Sequence, residues 1–384
     1  MPWKEVSKVE SRRLFVEACR SGRWSVAEAC RRFGVSRKTG YKWLARYEAE
    51  GVAGLADRSR RPHRVSYATD EAVVAALVAE RRTYPRWGAR KLCKRLAVQG
   101  VSPPPERTAN RILKRLGLIE PRRTAAPALQ RFERSAPNEL WQMDHKRAIH
   151  GRWSRRSVPL VVLDDASRYL LDLRSLPTKG LVPTWEALWV VFGEFGLPES
   201  ILCDNDRMLH GQRGPSQLEA RLMRLGITVL HGRPYHPQTQ GKVERLNGTL
   251  EREVLRDGSF RSEEELQSGF DRFRYVYNFE RPHEALGLEV PASRYWPSVR
   301  PRPSELPAME YARGAVLRRV QKDGWISWRG YAIEVGMGLH REQVEVREVQ
   351  SGVEIFYGRY RILGWTPDEG AKTRRQKVGA TPSC

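Results

Sequence analysis

Apolar positions recur at helical spacing near the start of the chain, where Val26, Ala29, Cys30 and Phe33 fall on one face. Gly34 interrupts the pattern, and Ser36 is placed to cap a second helix that carries Arg37, Lys38, Thr39, Lys42 and Arg46. A short helix, a glycine turn and a polar second helix make the helix-turn-helix pattern, whose second helix enters the DNA major groove. An ordinary helical hairpin shares that spacing; the basic and hydroxyl side chains of the second helix favour the DNA reader. Residues 69–119 repeat the theme. One helix begins at Gly88-Ala89-Arg90, and another at Glu106-Arg107-Thr108 with Ala109, Ile112, Leu113 and Leu116 at core spacing. This block reads as a second helix-turn-helix or a winged-helix module, with Arg107, Thr108 and Arg111 toward DNA.

From Leu140 the pattern changes. The runs 140–149, 157–176 and 200–205 are rich in Val, Ile and Leu and read as strands. Residues 183–195 read as a helix packed by Trp185, Leu188, Trp189 and Phe192, and further helices follow over 238–255 and 263–278. After a Pro-rich connector, residues 315–365 form short alternating runs with glycine turns, the pattern of a small β-barrel or sandwich. The expectation is a multidomain chain: all-α helix-turn-helix modules at 1–56 and 69–120, an α/β core at 138–297 and a small β-barrel at 308–366. Basic linkers at 57–68 and 121–137 separate them, and a basic tail occupies 367–384.

Charge sharpens this division. The chain has 384 residues and a formal net charge of +23. Through Ser135 it holds 31 Lys and Arg against 13 Asp and Glu, an excess of 18; the remainder holds 37 against 32, an excess of 5. So localised a basic excess suits a polyanion, and DNA phosphate is the usual one. Arg58, Arg60 and Arg61 in the first linker are placed to track phosphates. Cys19, Cys30, Cys93, Cys203 and Cys384 form no CxxC pair, which points away from structural zinc and toward reduced thiols in a cytoplasmic, nucleoid-associated protein. No charged-then-apolar leader opens the sequence, and no apolar run reaches membrane length.

Three acids stand out by context. Asp144 lies in the strand-like WQMDHK, Asp204 ends the apolar run ILCDN, and Glu244 lies early in a helix, in GKVERLN. Acids at buried strand positions are costly unless paired or metal-bound, and carboxylate oxygens are the ligands Mg²⁺ and Mn²⁺ prefer. Pairing with the abundant Arg and Lys is the alternative, and Asp164, Asp165 and Asp206 are competing acids.

The ordered segments WQMD, VVLDDASRYLL, LCDND, PYHPQTQGKVER and YNFERPHEALGLEVPASRY resemble the catalytic core of insertion-sequence DDE transposases, relatives of retroviral integrases. The resemblance implies a ribonuclease-H-like fold, with Asp144, Asp204 and Glu244 as catalytic ligands of two Mg²⁺ or Mn²⁺ ions. It places Asp164 and Asp165 at a structural turn. It also implies double-stranded DNA partners, element ends and target alike, and a homo-oligomer on DNA. Water would first cut at the element end, and the freed 3′-hydroxyl would then attack target DNA. His236, Gln238 and Gln240 precede the catalytic helix and are candidates for contact near the scissile phosphate, with loop structure the alternative. Lys242 and Arg245 flank Glu244 and suit phosphate contacts, or else are solvated helix charges. Trp141 is expected to pack in the core, and Arg281 and His283 to stabilise the turn after a helix. The sequence departs from the family at Asp206, where Gly is usual, and in the 40 positions separating Asp204 from Glu244. A regulator or domesticated relative that binds DNA without strand transfer is the other reading.

Overall fold

A computed structural model of the protein describes residues 7–58, 69–119, 134–150, 156–203, 214–231, 241–256 and 260–367. It divides into two compact units, Met1–Ala68 and Thr69–Cys384.

In the first unit, α1 (Lys8–Arg20), α2 (Val26–Arg32) and α3 (Arg37–Glu50) close around Phe15, Val16, Ala29, Cys30, Trp43 and Leu55. Each helix starts at a serine, Ser7, Ser25 or Ser36, whose hydroxyl accepts the backbone N–H three residues on. Gly34 makes the turn between α2 and α3 with φ of 65°, a left-handed conformation that a side chain disfavours. Gly40 lets α3 settle on its neighbours, because a Cβ there would stand 2.5 Å from Cys30 Sγ and 2.9 Å from Phe15 Cζ.

The second unit begins with α4 (Glu71–Thr83), α5 (Ala89–Val98) and α6 (Glu106–Arg115) around Leu77, Trp87, Leu92, Leu96, Ala109, Ile112 and Leu113. Among the described residues no strand joins them, so this is a helical module without a wing. Leu116, expected in the core, is 46% exposed, because it caps α6 where the chain leaves the helix.

A sheet comes next, built from β1 (Trp141–His145), β2 (Ile149–His150), β3 (Arg156–Asp164), β4 (Leu170–Leu176), β5 (Ser200–Cys203) and β6 (Thr228–His231). The order runs β4-β3-β1-β5-β6, antiparallel on the β3 side and parallel from β1 through β6, with β2 extending the edge of β3. Helices cover both faces, so β3 is apolar on both sides. Leu160 and Val162 meet α7 (Leu181–Phe195) and α8 (Gln217–Arg224), whereas Val161 and Leu163 meet α9 (Gly241–Leu250) and α10 (Glu263–Tyr275). Both α9 and α10 end in a π turn, Glu251–Leu255 and Val276–Glu280. The periodicity of the sequence does not reveal α8 and β6. Their signals are the Ser216/Glu219 capping box and the β-branched run after Gly226.

The expected small barrel takes a different form. β7 (Leu317–Arg319), β10 (Gln343–Val349), β11 (Gly352–Tyr357) and β12 (Tyr360–Trp365) make one open sheet, and β8 (Trp325–Trp328) with β9 (Tyr331–Glu334) makes another. Ile326, Trp328, Ile333, Val344, Val346, Val353 and Ile355 fill one core between them, completed by Ala220 of α8. Because α8 supplies part of that core, the two sheets need not close on themselves. Among the described residues no helix is long and apolar enough to cross a membrane.

Trp141 anchors the central strand. It is fully buried, stacks on Phe192 with ring centroids 5.9 Å apart, and donates through Nε1 to Asn138 Oδ1 at 3.1 Å. Truncating Phe192 to Ala should cost about 3–5 kcal/mol of stability through the cavity it leaves, read as a fall in the denaturant midpoint. An unchanged midpoint would contradict the packing role of Phe192.

Candidate active site

Side chains alternate across β1 and divide its work. Trp141 and Met143 enter the core under α7, and His145 Nε2 lies 3.1 Å from Thr184 Oγ1 of the same helix. Gln142, Asp144 and Lys146 share the other face, on the α9 side of the sheet. Asn247 of α9 donates through Nδ2 to Asp144 Oδ2 at 2.7 Å. Lys146 pairs with Glu251 at 2.7 Å, one turn further along. Glu244 stands one turn before Asn247 with an exposed side chain. Asp144 and Glu244 thus belong to a strand and a helix that Asn247 ties together, a residue that sequence reasoning missed. Its signal was the i, i+3 spacing from Glu244.

β1 and β5 are parallel neighbours in register Trp141↔Ile201 and Gln142↔Leu202, and β5 ends at Cys203. Asp204 and Asp206 lie outside the described residues, as do Arg60, Arg61, His236, Gln238 and Gln240. Among the described residues no three His, Cys, Asp or Glu side chains cluster as a metal site.

The two acids after β3 serve a turn. Asp164 Oδ1 accepts from Ser167 N and Oγ, and Oδ2 from Asn138 N. Burial pushes its carboxyl above the usual range, with the Ser167 and Asn138 donors pulling the other way. Asp165, with no exposed surface, accepts from Gln142 Nε2 at 2.7 Å and from Arg134 N at 2.8 Å. Lys242 completes its shell: Nζ is 2.6 Å from Asp165 Oδ2 and donates to Asp165 O at 3.0 Å. The ammonium expected at a DNA phosphate is therefore committed to the turn, and it fixes the first turn of α9. Arg245, next to Glu244, is exposed.

Past α10, Arg281 donates to both carboxylate oxygens of Glu253, at 2.5 and 2.7 Å. His283 is held neutral down to about pH 3, first by burial and then by the charges of Arg281 and Lys91.

In the helical modules, Ser36, Arg37, Lys38 and Lys42 are spread along the start of α3, and Thr39 and Arg46 lie on the same helix. Lys42 and Arg46 lie over the Trp43 ring, and Arg58 pairs with Glu50. On α6, Arg107 and Arg111 are exposed and Thr108 half-buried; with Asn110 and Lys114 they line one shallow depression.

Replacing Lys242 with Met strands a buried carboxylate and should cost about 3–5 kcal/mol; a midpoint within error of the wild type would refute the pairing. His283 has a folded-state value below its unfolded one, so its contribution is full above about pH 6.5 and is lost as pH falls toward 3. A His283→Asn variant should show a flatter stability profile across that window in acid denaturation.

Comparisons with known proteins agree with this layout. A helix-turn-helix domain family matches residues 11–63, a homeodomain-like family 39–113, and an integrase core domain 225–291, the segment that holds Glu244, Asn247 and Arg281. A Sinorhizobium fredii protein named "Putative transposase y4bF" is 26% identical over 248 residues, covering 62% of this chain and 53% of its own length. Protein YlbG of Escherichia coli is 35% identical over 77 residues, 20% of this chain and 63% of its own. The chain thus spans about half to two thirds of the curated relatives it matches. Among solved structures, the BIV integrase catalytic core aligns with 41% of this chain and 92% of its own at 21% identity and a TM-score of 0.32. The HTLV-2 integrase catalytic core in complex with magnesium aligns with 41% and 97% at 17% identity and a TM-score of 0.33. With helix-turn-helix domains that imply DNA binding, an integrase core domain and a transposase relative, the chain belongs among the transposase- and integrase-like proteins.

Proposed function

We propose that this protein is a DNA transposase that binds the terminal repeats of a mobile element, cuts at their ends and joins them to target DNA. The observation that carries the reading is Asp144 on the central strand, bonded by Asn247 to the helix that presents Glu244. Asp204, which directly follows the last residue of the parallel strand β5, is the proposed third carboxylate.

The residues suit a hard divalent cation such as Mg²⁺ or Mn²⁺. Asp144 and Glu244 supply oxygen donors, and Asn247 Oδ1 is a buried acceptor with no partner among the described residues, which a water of a cation's shell would satisfy. When bound, two such ions activate the attacking hydroxyl and stabilise the leaving oxygen. The chain's own part is placement. Asn247 orients Asp144, Lys242 holds the start of α9 to the Asp165 turn, and Arg245 faces solvent where a phosphate can approach. Ser36 to Arg46 on α3, and Arg107, Thr108 and Arg111 on α6, are the proposed DNA-reading side chains. Handling two ends together calls for a homo-oligomer on DNA.

Asp204→Ala, Asp144→Ala and Glu244→Ala should each abolish joining of element-end oligonucleotides with Mg²⁺, while end binding stays within about threefold of wild type. Joined product from any of the three purified variants would sink the assignment; wild-type binding without joining would favour the regulator reading, toward which Asp206 in place of Gly also leans. Arg111→Ala should weaken duplex binding and lower the slope of log affinity against log salt by about 0.9. An unaltered slope would remove Arg111 from the interface.

A further inference from the structure

The ERPHEAL segment joins the second helical module to the core, and its contacts lead to the catalytic helix. Glu280, the last residue of the π turn after α10, receives the Tyr84 hydroxyl and lies 3.5 Å from Arg95 Nη2. Arg95 also pairs with Glu80 at 2.9 Å and lies over the Tyr84 ring. Tyr84 stacks on the fully buried Trp87 with centroids 3.9 Å apart. Arg281 sits over the other side of this cluster, 5.6 Å from the Trp87 ring centre, while gripping Glu253. Val276 adds an apolar contact to the module's core.

Glu253 lies in the π turn that continues α9, nine residues beyond Glu244 and so roughly 13 Å along the axis. Both π turns therefore place their acids on one docking surface. A π turn adds a residue to a helical turn and re-aims the side chains beyond it, and such turns concentrate at functional positions.

We propose that Arg281 and Glu280 lock the second DNA-reading module to the catalytic helix, so that the sequence held by α6 sets which phosphate is cut. Arg281 is a positioning residue: its guanidinium spans Trp87 of the module and Glu253 of the helix, and it touches no reacting atom. Its planar fork meets two carboxylate oxygens while one face covers an indole, a combination that a lysine ammonium does not reproduce. The proposal rests on the transposase reading for the word "cut" and on the geometry alone for the lock.

The test uses the full chain and a duplex that it selects from a random-sequence library. Wild type with Mn²⁺ should cut that duplex at one fixed distance from the selected sequence, mapped by end-labelling. Arg281→Gln and Glu280→Gln should bind the duplex with affinity near wild type and still cut it, but at several neighbouring phosphates. Arg281→Lys, which keeps the charge, should also spread the cuts, and this separates the lock from folding. A single unchanged cut position in folded Arg281→Gln overturns the proposal. If wild type cuts nothing, the transposase reading falls, and hydrogen exchange decides the lock. Faster exchange in 241–255 of Arg281→Gln than of wild type, in the duplex-bound state, supports it; equal exchange overturns it.

Discussion

The core of this protein is organised around one desolvated charge. Asp165 has no exposed surface, and an ionised carboxylate so placed costs several kcal/mol unless donors surround it. Its donors come from separate parts of the chain: Arg134 from the entry to the domain, Gln142 from β1 and Lys242 from α9. Meeting the demand of that single group brings the central strand and the catalytic helix to a fixed approach. Asn247 then joins Asp144 to the same helix one turn on, and Lys146 with Glu251 repeats the contact a turn later. A ladder of polar contacts along one face of β1 thus aims the helix, while Trp141 and Met143 on the opposite face anchor the strand.

The attached C-terminal strands depend on a similar sharing of residues. α8 gives Leu218 and Leu222 to the sheet's core and Ala220 to the core of the C-terminal strands. Arg224 reinforces the seam by reaching Glu342 at 3.2 Å and the carbonyls of Leu306 and Pro307. An eight-residue helix serving two cores explains why the C-terminal strands remain two open sheets.

What the sequence made legible was whatever local chemistry dictates. Ser36 caps α3, Gly34 turns between helices, and the apolar runs of β3 and α7 fall where their patterns place them. Short elements hidden in a segment read as loop, α8 and β6, escaped because eight and four residues hold too little periodicity. Side-chain partners far apart in sequence were also out of reach. Lys242 looked like a phosphate contact because its partner is 77 positions away, and Asn247 looked like an ordinary helical polar residue. Leu116 fitted the core spacing of α6 but sits where the helix has already ended.

The π turns at the ends of α9 and α10 carry a further consequence, for the lengths the chain tolerates. Each widened turn holds one residue more than an α turn would. Deleting a residue from 251–255 would restore the tighter winding and rotate everything after it by about 100°. Glu253 would then leave Arg281, although no residue at the interface had changed identity. Substitutions along this stretch alter one contact at a time, whereas a change in length alters the phase of the whole surface. In this segment the spacing of residues is therefore under a tighter structural constraint than most of their identities.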